Sequence, residues 1–151
     1  MSAIRIEVAT QFSDELLRGI SALVPQLSSS RHALTAAELR EITACPVVRL
    51  LTAKDGTEVV GMLTLLLVRI PTGLRAILED LAVDAAYRRQ GVGSALMMSA
   101  CDIAAKAGAR TVDFTSRPSR VDANRLYLNL GFERRDTGIF RLTLEKRDAD
   151  R

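Results

Sequence analysis

The sequence is poor in the residues from which metal and redox sites are built. It has no tryptophan, one histidine and two cysteines among its 151 residues. The spacing of Cys45 and Cys101 matches no zinc or redox motif, and a single histidine cannot complete a metal cluster. We therefore expect no metal ion. We interpret both cysteines as reduced thiols in the core, where free cysteine is commonly found.

Long apolar runs and export signals are also absent from the sequence. No stretch reaches the roughly 18 consecutive apolar residues that a membrane-spanning helix requires, so we expect no membrane partner. Residues 1–12, MSAIRIEVATQF, lack the basic segment followed by an apolar segment that marks a secretory signal peptide. The expected location is therefore the cytoplasm.

Lysine and aromatic residues are scarce as well. Lysine occurs only at positions 54, 106 and 146, so arginine supplies most of the positive charge behind a net charge of +3. Arginine suits bidentate contacts with phosphate. The arginines are spread along the chain, however, and aromatic residues that could stack on bases make up only 4% of it. An arginine-rich nucleic-acid-binding module is therefore an alternative that the composition does not favour.

Apolar residues make up 48% of the chain, which is enough for a core, and the length suits one domain. Alternating apolar residues and turn signals predict strands at 4–8, 47–53, 58–70, 74–83, 111–115, 132–135 and 139–144. Capping residues followed by apolar faces predict helices that begin at Ser13, Thr35, Gly91 and Ser119. Gly61 predicts a bulge or bend within its strand. Gly108 and Gly131 are expected to end the last two helices.

The order of these elements indicates the fold class. The strand at 74–83, the helix from Gly91 and the strand at 111–115 form a strand–helix–strand unit, which implies a parallel pair of strands. We therefore predict a mixed α/β fold: a mostly antiparallel sheet with a central parallel pair, flanked by about four helices. A single domain is expected over residues 1–151, with 145–151 as a frayed charged tail.

The segment RRQGVG, residues 88–93, lies between a predicted strand and a predicted helix. Gly91 and Gly93 leave the backbone bare, and a helix start presents free N–H groups to an anion. The segment has no Gly-Lys-Ser/Thr ending and lacks the glycine spacing of a dinucleotide fingerprint, so neither common phosphate loop is present. The residues by themselves leave open an ordinary strand–helix turn that needs glycine for packing.

Two segments of the chain resemble the GNAT superfamily of N-acetyltransferases. LAVDAAYRRQGVGSAL, residues 81–96, resembles motif A of that family, because Arg88, Gly91 and Gly93 fill its Gln/Arg-x-x-Gly-x-Gly/Ala signature. NRLYLNLGF, residues 124–132, resembles the second hallmark, a helix that carries Leu-Tyr and ends in Gly-Phe. The order of the other predicted elements fits as well, so the resemblance covers nearly the whole chain.

The resemblance implies acetyl-CoA as the acetyl donor. In that family the loop amides hold the pyrophosphate, and this role maps to Arg89, Gln90, Gly91, Val92, Gly93 and Ser94, with Arg88 as a further candidate for cofactor binding. Backbone groups of the preceding strand hold the pantetheine arm, and this role maps to Leu81, Ala82 and Val83. Many members carry a cofactor-binding Asn seven residues before the helix tyrosine, where this chain has Arg120. The nearest candidate for that contact is Asn124.

The resemblance also implies two catalytic residues. The tyrosine of the later helix, which maps to Tyr127, protonates the departing thiolate in that family. Glu79 or Asp80 could accept the proton of the attacking ammonium, directly or through water, and in a regular strand they point to opposite faces. Leu-Glu-Asp also occurs in the diamine acetyltransferase branch, where the Glu is taken as the base, and this favours Glu79. The plainer interpretations are a surface carboxylate for Glu79 and a core aromatic for Tyr127.

These observations together predict an acetyl-CoA-dependent N-acetyltransferase. The acceptor would be an amine of a small molecule or a peptide, attacking directly in a ternary complex. The alternative is a non-catalytic acyl-CoA-binding sensor on the same fold. His32, in a polar loop that edges the acceptor site in the resembling family, is interpreted as a solvated residue. A homodimer formed through exposed sheet edges is compatible with the sequence, which does not name the acceptor.

Overall fold

The computed structural model describes residues 3–27 and 33–144. The predictions for His32 and for a frayed tail over 145–151 lie outside these residues. The chain divides into two compact units, Met1–Thr115 and Ser116–Arg151. That one domain spans the whole chain stays a prediction.

The first unit contains a five-stranded sheet in the order β1-β2-β3-β4-β5. Its strands are β1 (Arg5–Ala9), β2 (Val48–Asp55), β3 (Glu58–Ile70), β4 (Gly73–Val83) and β5 (Val112–Asp113). The pairs from β1 to β4 are antiparallel, and β4 and β5 are parallel. The mixed α/β class is confirmed. The parallel pair lies at the end of this sheet, however, and the prediction that it is central is wrong.

Among the described residues, the first unit also contains three α-helices and two short 3₁₀ turns. The helices are α1 (Asp14–Leu23), α2 (Ala36–Ala44) and α3 (Val92–Ala107), and the 3₁₀ turns are Val24–Gln26 and Ala85–Tyr87. The predicted caps of the first two helices are confirmed: Ser13 accepts a hydrogen bond from the N–H of Leu16, and Thr35 accepts one from the N–H of Glu38. Gly108 ends α3 in a left-handed conformation, as predicted.

The two faces of the sheet carry different helices. On one face Met62 and Ala82 pack in a buried cluster with α1 and α2, whose members include Leu16, Ile20, Leu23 and Leu39. On the other face α3 approaches β3 at Gly61, where an added Cβ would lie 3.2 Å from Leu96 and 3.3 Å from Val92. The predicted bulge at Gly61 is confirmed beside it, since the register with β2 shifts between Gly61 and Val59.

A second bulge interrupts β4. Glu79 pairs with Thr64 and Ala82 pairs with Met62, so two residues of β4 face one residue of β3. Asp80 occupies this bulge with φ +55°, a left-handed conformation that is uncommon outside glycine. The expectation that Glu79 and Asp80 alternate across a regular strand is therefore wrong, because the bulge breaks the alternation between them.

The second unit contains α4 (Val121–Asn129), preceded by a turn and followed by irregular chain. The predicted capping box at Ser119 is wrong. Arg120 is the N-cap and makes no side-chain cap, while the carbonyl of Ser119 accepts from the N–H of Val121. Gly131 has φ +101° and follows the helix, as predicted. Leu126 of this helix is 41% exposed.

The closing strands predicted at 132–135 and 139–144 are wrong. The structure assigns no strand to either segment. The apolar residues of the second segment are exposed: Ile139 71%, Phe140 100%, Leu142 68% and Leu144 66%. Alternation is a local signal, and it does not by itself provide the partner strand that pairing requires.

Three further observations concern membrane spans, metal ligands and cysteines. No helix within residues 3–27 and 33–144 is long and apolar enough to cross a membrane. The same residues contain no cluster of His, Cys, Asp and Glu that could hold a metal ion. Cys45 and Cys101 are both free thiols but half-buried, so the interpretation as fully buried core residues is corrected.

Candidate functional site

The loop from Arg88 to Gly91 connects the 3₁₀ turn Ala85–Tyr87 to α3. It contains two residues with positive φ, Arg89 at +62° and Gly91 at +79°. Glycine adopts this conformation freely, whereas for arginine it costs free energy that the surrounding structure must offset. The loop therefore has a specific, partly strained shape at the point where β4 gives way to α3.

The start of α3 differs from the starts of α1 and α2. Gly91 is its N-cap, and no side chain within the described residues caps it. The first N–H groups of a helix have no partner within the helix, and the helix dipole places partial positive charge there. The amides of Val92, Gly93 and Ser94 are thus presented at an end that suits an anion.

Gly93 lies in the first turn of α3 and is not required by packing. A Cβ built at this position would meet only Val83 Cγ2, at 3.8 Å, an ordinary van der Waals distance. At Gly91 a Cβ would meet nothing within 4 Å, but the positive φ still favours glycine there. The bare surface at Gly93 is therefore explained better by close approach of a ligand than by folding.

The side chains around the loop differ in their burial and in their hydrogen bonds. Val92 is buried, 3% exposed, so it can offer a ligand only its backbone. Arg88 donates from Nη2 to Oε1 of Gln26 at 2.9 Å, and Gln90 donates from Nε2 to the carbonyl of Ala86 at 3.2 Å. Arg89 is exposed. The bare amides and these arginines are thus the groups that this loop can direct at a phosphate.

The end of β4 leads through the 3₁₀ turn Ala85–Tyr87 into this loop, and it has one open edge. β5 pairs with β4 only at Ala76 and Ile77. On that side, residues 78–83 have no strand partner among the strands described, which leaves backbone N–H and C=O groups to bond something else. Leu81, Ala82 and Val83, the predicted pantetheine contacts, lie in this open stretch. A short linear amide could add to such an edge as an extra strand does.

Glu79 lies on the sheet face that carries α1 and α2. Its partner Thr64 is two residues from Met62, the partner of Ala82, so Glu79 and Ala82 share that face. Both Glu79 and Asp80 are exposed. The structure thus keeps Glu79 accessible at the bulge, a few residues before the loop.

Tyr127 and Asn124 belong to the second unit. The Tyr127 side chain is buried, 8% exposed, and the residue's carbonyl accepts from the N–H of Phe132 at 3.0 Å. Asn124 accepts from the hydroxyl of Ser116 at 2.6 Å and donates to the carbonyl of Arg117 at 3.0 Å. Asn124 therefore holds the turn before α4, and its contact with a cofactor stays a prediction.

One hydrogen bond near the loop could not be predicted from the sequence. Tyr87 donates from its hydroxyl to Oδ2 of Asp55 at 2.7 Å. This bond, reinforced by partial burial and by the neighbouring carboxylates, raises the pKa of Tyr87 to about 12. The two residues are 32 positions apart, and neither a spacing rule nor a motif connects them.

The thiol nearest to this region in sequence is poorly suited to nucleophilic chemistry. Cys101 lies in the middle of α3, away from the helix start, where a thiol would be activated. Burial, and to a lesser degree the charge of Asp102, raise the pKa of Cys101. Raising the pKa reduces the thiolate fraction at neutral pH.

Known proteins share this arrangement of elements. The sequence profile of the Acetyltransferase (GNAT) family matches residues 19–132. A transcriptional regulator from Bacillus halodurans C-125 is 25% identical, with a TM-score of 0.76 over 93% of this chain and 100% of that chain. An acetyltransferase from Trypanosoma brucei is 24% identical, with a TM-score of 0.76 over 94% and 100% of the two chains. No curated protein sequence matches this chain significantly.

A third structure was determined with a ligand. It is that of AAC(6')-Iy with the bisubstrate analogue CoA-S-monomethyl-acetylneamine, 19% identical, with a TM-score of 0.76 over 94% of this chain and 99% of that chain. At this identity the likeness concerns the fold. The family profile, in contrast, matches more than half of the chain and includes β4, the loop, α3 and α4. This chain belongs to the acetyltransferase (GNAT) family.

Proposed function

We propose that this protein is an acetyl-CoA-dependent N-acetyltransferase. The observation that carries the proposal is the start of α3, where an uncapped helix end, a left-handed Gly91 and a bare Gly93 form a surface for an anion. In a chain of the GNAT family, the anion that suits this surface is the pyrophosphate of CoA. The backbone fits the group, because Gly93 leaves room that the packing of the protein does not use.

The donor would be held mainly by backbone groups. The amides from Arg89 to Ser94 would bind the pyrophosphate, with Arg88 beside them. The open edge of β4 at Leu81, Ala82 and Val83 would bind the amides of the pantetheine arm. The bisubstrate analogue bound to AAC(6')-Iy joins CoA to an aminoglycoside derivative, and it supports the proposal that this fold can bring a CoA thiol and an amine acceptor together.

The transfer would proceed by direct attack of the acceptor amine in a ternary complex. Acetyl-CoA supplies the acetyl group as a thioester, so a C–N bond forms while the C–S bond breaks. Glu79 would take the proton that the amine nitrogen loses, directly or through a water molecule; Asp80 is the alternative base. Tyr127 would donate its hydroxyl proton to the departing sulfur and regain a proton from solvent. Charge on the sulfur develops only as the bond breaks, so this donor acts in the transition state.

The acceptor is proposed to be an amine of a small molecule or of a peptide. Both carboxylates at the β4 bulge are exposed, which suits an acceptor that arrives as a cation. The reaction requires the neutral amine, so a carboxylate near the acceptor serves both to attract the ammonium and to remove its proton. Asn124 is kept as a candidate contact for the donor.

A panel of amines tests the proposed function. Amino acids, polyamines, aminoglycosides and peptides with free N-termini are each incubated with acetyl-CoA, and free CoA thiol is measured. We expect at least one class to release thiol above the background hydrolysis rate. If CoA binds in calorimetry but no class releases thiol, the non-catalytic acyl-CoA sensor is the better description. If CoA does not bind at all, the phosphate-loop assignment is wrong.

Two broader expectations accompany this proposal. We propose a cytoplasmic location, which fractionation of cells that express the tagged protein would test.

We also propose a homodimer, because four large apolar side chains at 139–144 are more than 60% exposed and a second copy would remove them from water. Sedimentation velocity over a range of concentrations distinguishes a dimer from a monomer.

A further inference from the structure

The loop before α3 needs support from outside itself. Arg89 is held at φ +62°, a conformation that a non-glycine residue keeps only when its surroundings impose it. The nearest backbone bond before it, from the N–H of Arg88 to the carbonyl of Ala85, is long at 3.5 Å. A loop of this kind opens easily unless side chains tie it to the rigid sheet.

Two long-range side-chain hydrogen bonds provide that support. The hydroxyl of Tyr87 donates to Asp55 at 2.7 Å, and Arg88 donates to Gln26 at 2.9 Å. Asp55 is the last residue of β2, next to the tight turn at Gly56. The first bond therefore attaches the segment that enters the loop to the end of the central hairpin.

The bond between Tyr87 and Asp55 has the features of a strong contact. Its length lies close to the range of charge-assisted O–H···O⁻ hydrogen bonds, and both residues are half-buried. The raised pKa of Tyr87, about 12, means that the hydroxyl keeps its proton, and with it the bond, throughout the neutral range. The hydroxyl is therefore able to donate to Asp55 at any pH in this range.

The two anchors differ in how they relate to a ligand. Arg88 is itself a candidate donor contact, so its guanidinium can be drawn from Gln26 to a phosphate. The Tyr87 hydroxyl is taken up by Asp55 and lies one residue before the signature. It can influence binding only by fixing where the loop backbone lies.

We propose that Tyr87 is a positioning residue for donor binding. Through Asp55 it holds the entry to the phosphate loop, so that the amides from Gly91 to Ser94 are already arranged when CoA arrives. This inference rests on the proposed function for its consequence, and on the hydrogen bond alone for its effect on the loop. Preorganisation of this kind improves affinity because less order must be imposed on binding.

Limited proteolysis measures the effect on the loop without any ligand. Trypsin cuts after arginine, and Arg88 and Arg89 are both exposed, so cleavage there reports how often the loop opens. In Tyr87→Phe we expect cleavage after these residues to rise about 3- to 10-fold, measured relative to cleavage after Arg110 in the same sample. Equal cleavage ratios in Tyr87→Phe and wild type would overturn the proposal.

Calorimetry with CoA measures the effect on binding. We expect Tyr87→Phe to raise the Kd for CoA about 3- to 10-fold, with kcat at saturating acetyl-CoA unchanged. An unchanged Kd beside faster cleavage contradicts the positioning role, because the loop would then be mobile without consequence. If wild type binds no CoA, the proposed function fails, and the cleavage ratio still decides whether Tyr87 holds the loop.

Two further variants separate a local effect from a general loss of stability. Asp55→Asn keeps an oxygen that can accept the hydroxyl but removes its charge, so its Kd and cleavage ratio should lie between those of wild type and Tyr87→Phe. Thr35→Ala removes the cap of α2, far along the chain from the loop, and lowers the melting temperature. It should leave the cleavage ratio and the Kd for CoA unchanged. A change in Thr35→Ala equal to that in Tyr87→Phe contradicts the positioning role.

Discussion

At the residue scale, folding stability and donor binding favour different residues at position 93. Alanine at this position meets only Val83 Cγ2, at 3.8 Å, and glycine is a poor residue for a helix. We expect Gly93→Ala to raise the free energy of unfolding by about 0.5–1 kcal/mol. The same Cβ lies where the pyrophosphate should approach, so the Kd for acetyl-CoA should rise about tenfold, which is about 1.4 kcal/mol.

Gly91 provides the matched control for that substitution. Its φ of +79° is costly for a side chain, so Gly91→Ala should lower the free energy of unfolding by about 1–2 kcal/mol. For both variants, urea denaturation gives the free energy of unfolding and calorimetry gives the Kd for acetyl-CoA. A Gly93→Ala protein that is stabilised and still binds acetyl-CoA normally would show that the phosphate does not lie against this turn of α3.

The role of Tyr127 can be tested by removing its hydroxyl group alone. Its ring is buried, 8% exposed, and Tyr127→Phe keeps the ring while it removes only the hydroxyl. If the hydroxyl protonates the leaving sulfur, kcat should fall about 10²-fold or more, with little change in the Kd for acetyl-CoA. A lowered melting temperature with normal turnover per folded molecule would instead make Tyr127 a structural residue.

At the element scale, one carboxylate offsets the repulsion between two cations where β1 pairs with β2. Arg5 and Lys54 lie directly opposite each other in the register, and like charges in that position repel. Glu7 bonds to Lys54 at 2.6 Å and to Arg5 at 3.1 Å, and so bridges the two cations. The hydrogen bond from Lys54, with a smaller contribution from Arg5, lowers the pKa of Glu7 below 4.5.

The sign of the resulting pH dependence follows from the lowered pKa of Glu7. A carboxyl group with a lower pKa in the folded state stabilises that state above the unfolded pKa, and the contribution is lost as the pH falls through the folded pKa. Glu7→Gln should therefore lower the free energy of unfolding at pH 7 by no more than about 1 kcal/mol, because the site is partly exposed. The difference from wild type should shrink below about pH 4 and in 1 M salt. A difference that stays constant across this pH range would show that the ion pairs do not stabilise the sheet.

Elements defined by local signals could be predicted from the sequence, and elements that need distant partners could not. Ser13 and Thr35 cap helices as predicted, because the donor and acceptor of a cap lie three residues apart. The segment 139–144 has the alternation of a strand and yet forms none, because alternation alone does not supply the hydrogen-bonding partner that a strand requires. Local signals can also mislead: Ser119 satisfies the capping pattern, but Arg120 is the N-cap.

In the candidate site, too, local features could be predicted from the sequence and features that depend on distant residues could not. The bare loop at Gly91 and Gly93 was predicted, because the glycines and the strand–helix order are local features. The bulge at Asp80 was not, since it depends on the register with β3. The bond from Tyr87 to Asp55 joins residues 32 positions apart, and only the pairing of β2, β3 and β4 brings them together.

At the scale of the whole molecule, the question is whether the acetyl group reaches the acceptor directly or through the protein. A covalent route needs a nucleophile with an activating base or a lowered pKa. Burial raises the pKa of Cys101, which lies in the middle of α3. Cys45 follows α2 as its C-cap, on a different element from the phosphate loop. Neither thiol therefore has the surroundings of an acyl carrier, and direct transfer is the simpler path.

Intact mass spectrometry tests this path. After incubation with acetyl-CoA alone, we expect no stable addition of an acetyl group to either cysteine. Cys45→Ala and Cys101→Ala should each keep kcat within about 2-fold of wild type, because the raised pKa of Cys101 leaves little thiolate at neutral pH and Cys45 lies on a different element from the phosphate loop. Both cysteines are only half-buried, so alanine leaves a small cavity at most, and circular dichroism checks that the variants fold. An acetyl adduct mapped to Cys101, together with loss of turnover in folded Cys101→Ala, would establish a covalent route and refute direct attack in a ternary complex.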